Sequence, residues 1–129
     1  MTSASESPAT LHQLVGGDQF FTDLVDHFYD GIEDDEVLAD MYPDDTTDSR
    51  RHLAGFLSQY WGGPQAYSEE RGHPRLRMRH TPFRIDASAA EAWLARMRSA
   101  LDQMDMTPEA EAAIWEHFAR SAEFLRNAE

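Results

Sequence analysis

No cysteine and no lysine occur among the 129 residues. Without cysteine, disulfides, thiolate metal sites and thiol catalysis are excluded, so any metal must be held by histidine, carboxylate or methionine. Without lysine every base is an arginine, 11 of them against 24 acidic residues, for a net charge of −13 with histidine neutral. That charge argues against a nucleic acid as partner, because two polyanions repel. Solubility is its plain reading, and docking to a basic electron-transfer partner is the more specific one. No apolar run approaches the roughly 20 residues that span a bilayer, and the start MTSASESPAT has neither the basic nor the apolar part of a secretory leader. The expectation is a cytoplasmic protein with no membrane partner. Also missing are an internal repeat and any period-two run long enough for a convincing strand.

What is present is a folding composition, 41% hydrophobic and 11% aromatic, on a chain long enough for one core and too short for two. Residues 1–10 read as a flexible Ser/Ala/Thr-rich tail and 11–129 as a single domain. Within that domain the apolar spacing is helical throughout. Phe20, Phe21, Leu24, Val25, Phe28, Tyr29 and Ile32 share one face of a first long helix, for which Asp18 can serve as cap. Met41-Tyr42-Pro43 closes a connecting segment, since proline disfavours helix in the residue before it. Leu53, Phe56, Leu57, Tyr60 and Trp61 form the face of a second helix, capped by Thr47 or Asp48 and stopped by Gly62-Gly63-Pro64. The stretch from Gln65 to Gly72 reads as irregular, and a short helix follows between Pro74 and Pro82. Ser88 and Glu91 form a capping box ahead of a long helix carrying Trp93, Leu94, Met97, Leu101 and Met104. Thr107-Pro108-Glu109 starts the last helix, with Ile114, Trp115, Phe118, Ala122 and Leu125 facing inward. The class is all-α, with four substantial helices and a very short one.

Six histidines are present, none within HExxH and none followed four residues later by histidine or a carboxylate, so dinuclear iron and zinc-hydrolase patterns are missing. A single histidine suffices where a cofactor supplies the other four nitrogens, as haem does. His80 lies four residues after Leu76 between Pro74 and Pro82, which places the imidazole on the apolar side of one helical turn. His73, between Gly72 and Pro74, sits in loop chemistry instead. By itself His80 reads as an ordinary core or surface histidine, and something beyond its position has to make it a ligand.

The run YWGGPQAYSEERGHPRLRMRHTPFRI, Tyr60 to Ile85, resembles the signature of group II truncated haemoglobins. Upstream, LVGGDQFFTDLVDHFYDGIEDDEVLADMYPDD is similar to the first part of the same family, with its double glycine, Phe-Tyr helix and Met-Tyr-Pro turn. Downstream, Trp93 stands where the family keeps a tryptophan. The resemblance spans roughly Leu11 to Leu125. It implies a two-on-two helical sandwich around a b-type haem, with His80 as the iron ligand and Tyr29, Tyr42 and Trp93 as polar groups on the gas-binding side. Ser49 and Leu53 would lie on the helix crossing that side, beside Phe56 and Leu57. His52 departs from the pattern, because relatives often carry arginine or lysine there to reach a haem propionate. Arg79 and Tyr67 are then the better propionate partners, since a guanidinium pairs bidentately with a carboxylate and a phenol donates to one. Leu76 completes the haem contacts.

Oxygen on a ferrous haem gains negative charge, so hydrogen-bond donors aimed at it slow its release more than that of carbon monoxide. The resemblance therefore implies a protein that binds O2, NO and CO and releases oxygen slowly, as suits storage, sensing or redox chemistry. An enzyme converting nitric oxide with bound oxygen, or reducing peroxide, stays open; it would need a partner reductase, because nothing here resembles a flavin or nicotinamide site. A carrier, a homodimer and a helical bundle without cofactor also stay open.

Overall fold

The computed structural model describes residues 10–42, 45–71, 80 and 84–128. Helices α1 (Leu11–Leu14), α2 (Asp18–Ile32), α3 (Thr47–Tyr60), α4 (Ala66–Arg71), α5 (Ala87–Asp102) and α6 (Pro108–Leu125) follow in order, with a 3-10 turn at Ala39–Met41. The described residues contain no strand. Helix α2 packs against both α3 and α5, α6 against α5, and α4 against α3. The four long helices thus make two pairs with α2 and α5 touching at the centre.

The apolar stripe of α2 is the middle of the core. Phe21, Leu24, Val25 and Phe28 are fully buried and meet Leu57 of α3, Met97 and Leu101 of α5, and Ile114 and Phe118 of α6. Burying each such side chain contributes roughly 1.5–3 kcal/mol, so a stripe contributed by every long helix specifies their mutual packing. The second half of the frame is polar. Asp35, almost buried after α2, accepts the backbone N–H groups of Val37 and Leu38 and pairs with Arg96 of α5 at 2.8 Å. The Arg96 hydrogen bond holds the Asp35 carboxyl below its ordinary range, against the opposing push of burial. This pair ties the chain leading to Tyr42 onto α5.

Helix ends differ from expectation in three places and agree in one. Asp18 does not cap α2: Gly17 holds the cap position with a φ of +85°, and the Asp18 carboxylate takes the His12 ring nitrogen at 2.6 Å. Thr46 rather than Thr47 or Asp48 precedes α3, and Asp45 accepts the Thr47 N–H. Asp86 caps α5 by accepting the Ala89 N–H, which leaves Ser88 inside the helix, because an ionised carboxylate is the stronger acceptor of a helix N–H. Thr107 caps α6 as its Thr-Pro-Glu sequence predicts.

The segment expected to be irregular after Gln65 contains α4. Tertiary contacts favour the helix: Tyr67 is buried with its ring 5.5 Å from that of Phe56, and Gln59 bonds both the backbone N–H and the hydroxyl of Ser68. Neither contact is visible as local periodicity. Helix α1, also unforeseen, is closed by Thr10 and Gln13, each side chain accepting the other's backbone N–H.

Candidate functional site

Tyr29, Tyr42 and Trp93 come from α2, the turn after Met41 and α5, and the fold brings them together. The Tyr29 and Tyr42 rings meet edge to face at 5.5 Å. The Trp93 N–H donates to the Tyr42 oxygen, and the Tyr29 and Ser49 hydroxyls share a hydrogen bond. Ser49 enters because it lies in the first turn of α3, which packs along α2. Tyr29 is only 5% exposed. Burial pushes its phenol up to about 12, partly opposed by Ser49 and by the neighbouring Arg50 cation. Burial also raises the Tyr42 phenol, and the Tyr29 phenol beside it adds to the effect. Both phenols therefore stay protonated at neutral pH and keep an O–H to donate.

Arg50, next to Ser49 on α3, also meets Tyr29. Its guanidinium stands 5.5 Å over the Tyr29 ring and reaches the carboxylates of Asp26 at 3.2 Å and Asp30 at 3.1 Å. An arginine one turn along the facing helix from an i, i+4 carboxylate pair is a readable signal only once α2 and α3 are known to be neighbours.

His80 is helical and half-buried. It lines a cavity of about 70 Å³ together with Tyr42, Trp93, Met41, Ile85, Ala90 and Leu125, among others. Two of the three aromatic polar groups and the candidate ligand therefore face one space. Apart from Ser121 its walls are otherwise apolar, with small residues at Ala89, Ala90 and Ala122. Asn127, just beyond α6, holds the approach: its side-chain oxygen accepts the Ile85 N–H at 2.8 Å, its own N–H donates to the Ile85 carbonyl at 2.9 Å, and its amide donates to the His80 carbonyl at 3.4 Å. Sequence reasoning missed Asn127, because nothing local links residue 127 to residue 80.

The remaining candidates divide. Leu57 is buried in the core, with Leu53 and Phe56 partly buried against it. Tyr67 is buried beside Phe56. None of the four lines the cavity shared by His80 and Trp93. His52 lies with a ring nitrogen 3.4 Å from the Arg51 guanidinium. Leu76 and Arg79 lie outside the described residues.

The donor chemistry of this cavity suits a metal that arrives with its own equatorial ligands. Among the described residues no group of three histidine, cysteine or carboxylate side chains could hold a bare ion. One imidazole facing an apolar slot is instead what an iron porphyrin requires, since the macrocycle supplies four nitrogens and its faces are apolar.

Paired helices beside a largely apolar cavity with one imidazole on its wall are an arrangement that a globin would have. The comparisons narrow the class. Residues 10–127 match the family described as bacterial-like globin. Group 2 truncated hemoglobin YjbI of Bacillus subtilis is 42% identical over 93 residues, 72% of this chain and 70% of that protein. Two-on-two hemoglobin-3 of Arabidopsis thaliana is 34% identical over 116 residues; the match covers 84% of this chain but only 65% of that longer relative. The crystal structure of the group II truncated hemoglobin from Bacillus anthracis superposes with a TM-score of 0.91 at 39% identity, covering 95% of each chain. The chain belongs to the bacterial-like globins, as a truncated haemoglobin of group II. Membership of a globin family implies a haem cofactor and small gas ligands such as oxygen.

Proposed function

We propose that the protein would hold a haem b through His80 and take up oxygen beside Tyr42, Trp93 and Tyr29, releasing it slowly. The observation that carries this reading is the single cavity into which His80, Tyr42 and Trp93 all project. When bound, haem would supply the iron that takes up a diatomic gas such as oxygen. The b-type is favoured because a chain without cysteine offers no thioether attachment.

The chain's own residues do the rest. Asn127 anchors the backbone of the ligating residue at its carbonyl and at Ile85. Tyr42 accepts the Trp93 N–H, so its O–H remains free for a second acceptor. A donor raised in pKa by burial stays neutral and does not repel a partly negative ligand. Ser49 and Arg50 hold Tyr29 against Tyr42 from α3. Leu53, Phe56, Leu57, Tyr67, Leu76 and Arg79 would be further haem contacts by the family resemblance, the first four of them standing outside the cavity that His80 lines. NO and CO would enter the same space. Storage or sensing suits slow release. Peroxide reduction is the second reading, favoured by two oxidisable side chains, Trp93 and Tyr42, on the cavity wall; it needs an external reductant.

The test is reconstitution with haem. The protein is expected to show a Soret band and a ferrous CO complex, and His80→Gly to lose the proximal signature and regain it with added imidazole. An unchanged spectrum in His80→Gly would transfer the ligand role elsewhere, and no Soret band in the parent protein would remove the haem.

A further inference from the structure

A chain of aromatic rings leads out of the cavity to the surface. Trp93, on the cavity wall, packs on Phe118 at 5.6 Å between ring centroids. Phe118 adjoins His117 at 5.8 Å on α6. His117 in turn packs on Tyr60 at 4.1 Å and on Trp61 at 5.5 Å, and those two rings meet at 5.0 Å. Phe118 and His117 are both buried, whereas Tyr60 is 49% exposed. No described residue accepts the buried Trp61 N–H.

The geometry points to Tyr60 as a surface redox site: when a hydroperoxide oxidises the loaded protein, the deficit in the cavity is filled by an electron from Tyr60 carried along Trp61/His117, Phe118 and Trp93. This inference rests on the haem reading and extends its second branch. Reduction of the hydroperoxide to water and the corresponding alcohol, or to two waters for hydrogen peroxide, takes two electrons and two protons. Tyr60 supplies one electron and releases its phenolic proton to solvent, leaving a neutral phenoxyl radical. A small one-electron donor, an ene-diol or a phenol, reduces that radical by returning an electron and a proton, and a second pass supplies the second electron.

The chemistry of each station favours this direction. Tyrosine and tryptophan are the oxidisable side chains of the series, and Phe118 and His117 serve only as close-packed rings across which an electron tunnels. Tunnelling falls off exponentially with the gap, and ring contacts leave little gap. Oxidation of a phenol requires its proton to leave. Water takes it readily from Tyr60, which is 49% exposed, whereas Tyr29 is buried and Tyr42 is partly buried against the core. Trp61, whose N–H meets no acceptor among the described residues, serves as a station rather than an end point. His117 is held neutral by burial and by the Arg120 charge, so it does not place a cation beside the electron-poor rings.

The experiment adds one equivalent of hydrogen peroxide to the ferric, haem-loaded protein with a nitroso spin trap, followed by freeze-quench EPR and mass-spectrometric mapping of the adduct. The expected result is a tyrosyl signal with the adduct on Tyr60, in a yield per chain that does not change on dilution. Tyr60→Phe is expected to move the adduct to Trp61, and Tyr60→Phe combined with Trp61→Phe to confine it to the cavity aromatics with faster haem bleaching. Adducts confined to Tyr29, Tyr42 or Trp93 in the parent protein would overturn the proposal, as would a Tyr60 adduct whose yield rises with protein concentration. Both outcomes are read with the Soret band intact; its absence would sink the haem reading instead.

Discussion

Replacing Trp93 by phenylalanine tests the gas-binding side of the site most directly. The substitution keeps a ring against Phe28 and Phe118, each 5.6 Å away, and deletes the indole N–H that reaches Tyr42. A hydrogen bond to a charged group contributes roughly 1.5–3 kcal/mol, and each 1.4 kcal/mol is a factor of ten, so loss of one such bond should speed oxygen release about 10- to 150-fold. Carbon monoxide draws less charge and serves as the internal control. Because Trp93 and Tyr42 share a hydrogen bond, their effects are coupled. The double variant with Tyr42→Phe should fall short of the product of the single effects. The assay is stopped-flow displacement of oxygen and of carbon monoxide from the ferrous protein, with urea unfolding to record the structural cost of the smaller ring, roughly 0.5–3 kcal/mol. Equal acceleration for both gases would show that Trp93 acts by bulk alone. An unchanged oxygen rate in both single variants would remove the donors from the mechanism.

Two further predictions concern the frame. Gly63→Ala should destabilise the fold by about 1–3 kcal/mol in chemical denaturation, because the new methyl would sit 2.7 Å from the His12 ring and 2.8 Å from the Ser58 carbonyl, between α1 and the end of α3; stability equal to the parent's would mean that α1 does not dock there in solution. His117 should make stability pH-dependent. Its folded pKa lies below its ordinary 6.5, so the unfolded chain binds more protons once pH falls toward that value. The penalty is negligible well above 6.5, grows as pH drops, and levels off below the folded pKa. Denaturation of the parent and of His117→Gln at pH 7.5 and pH 5 checks the sign: the parent should lose more stability than the variant, and parallel losses would refute it.

The amphipathic spacing of α2, α3, α5 and α6 was readable because a helix that buries one face must repeat its apolar residues every three to four positions, and the aromatic inward face of α2 carried Tyr29 with it. Helix α4 was not readable, since six residues show too little periodicity and are held by Tyr67 on Phe56 and Gln59 on Ser68. The caps at Asp86 and Gly17 escaped for a related reason. Several neighbouring polar residues could each cap, and the approach angle of the chain decides among them.

Residue identity and spacing alone determined that this chain would be helical, without disulfides or thiolate chemistry, whereas His80 became a candidate ligand only through the family resemblance of the run around it. Tertiary packing decided which side chains became neighbours. It brought Tyr42 under Trp93 and Arg50 over Tyr29, clasped His80 with Asn127 from 47 positions away, and strung Tyr60 to the cavity through α6. Local pattern fixes which face of a helix is apolar, whereas contacts between faces depend on how whole helices cross, and no window of sequence holds that information.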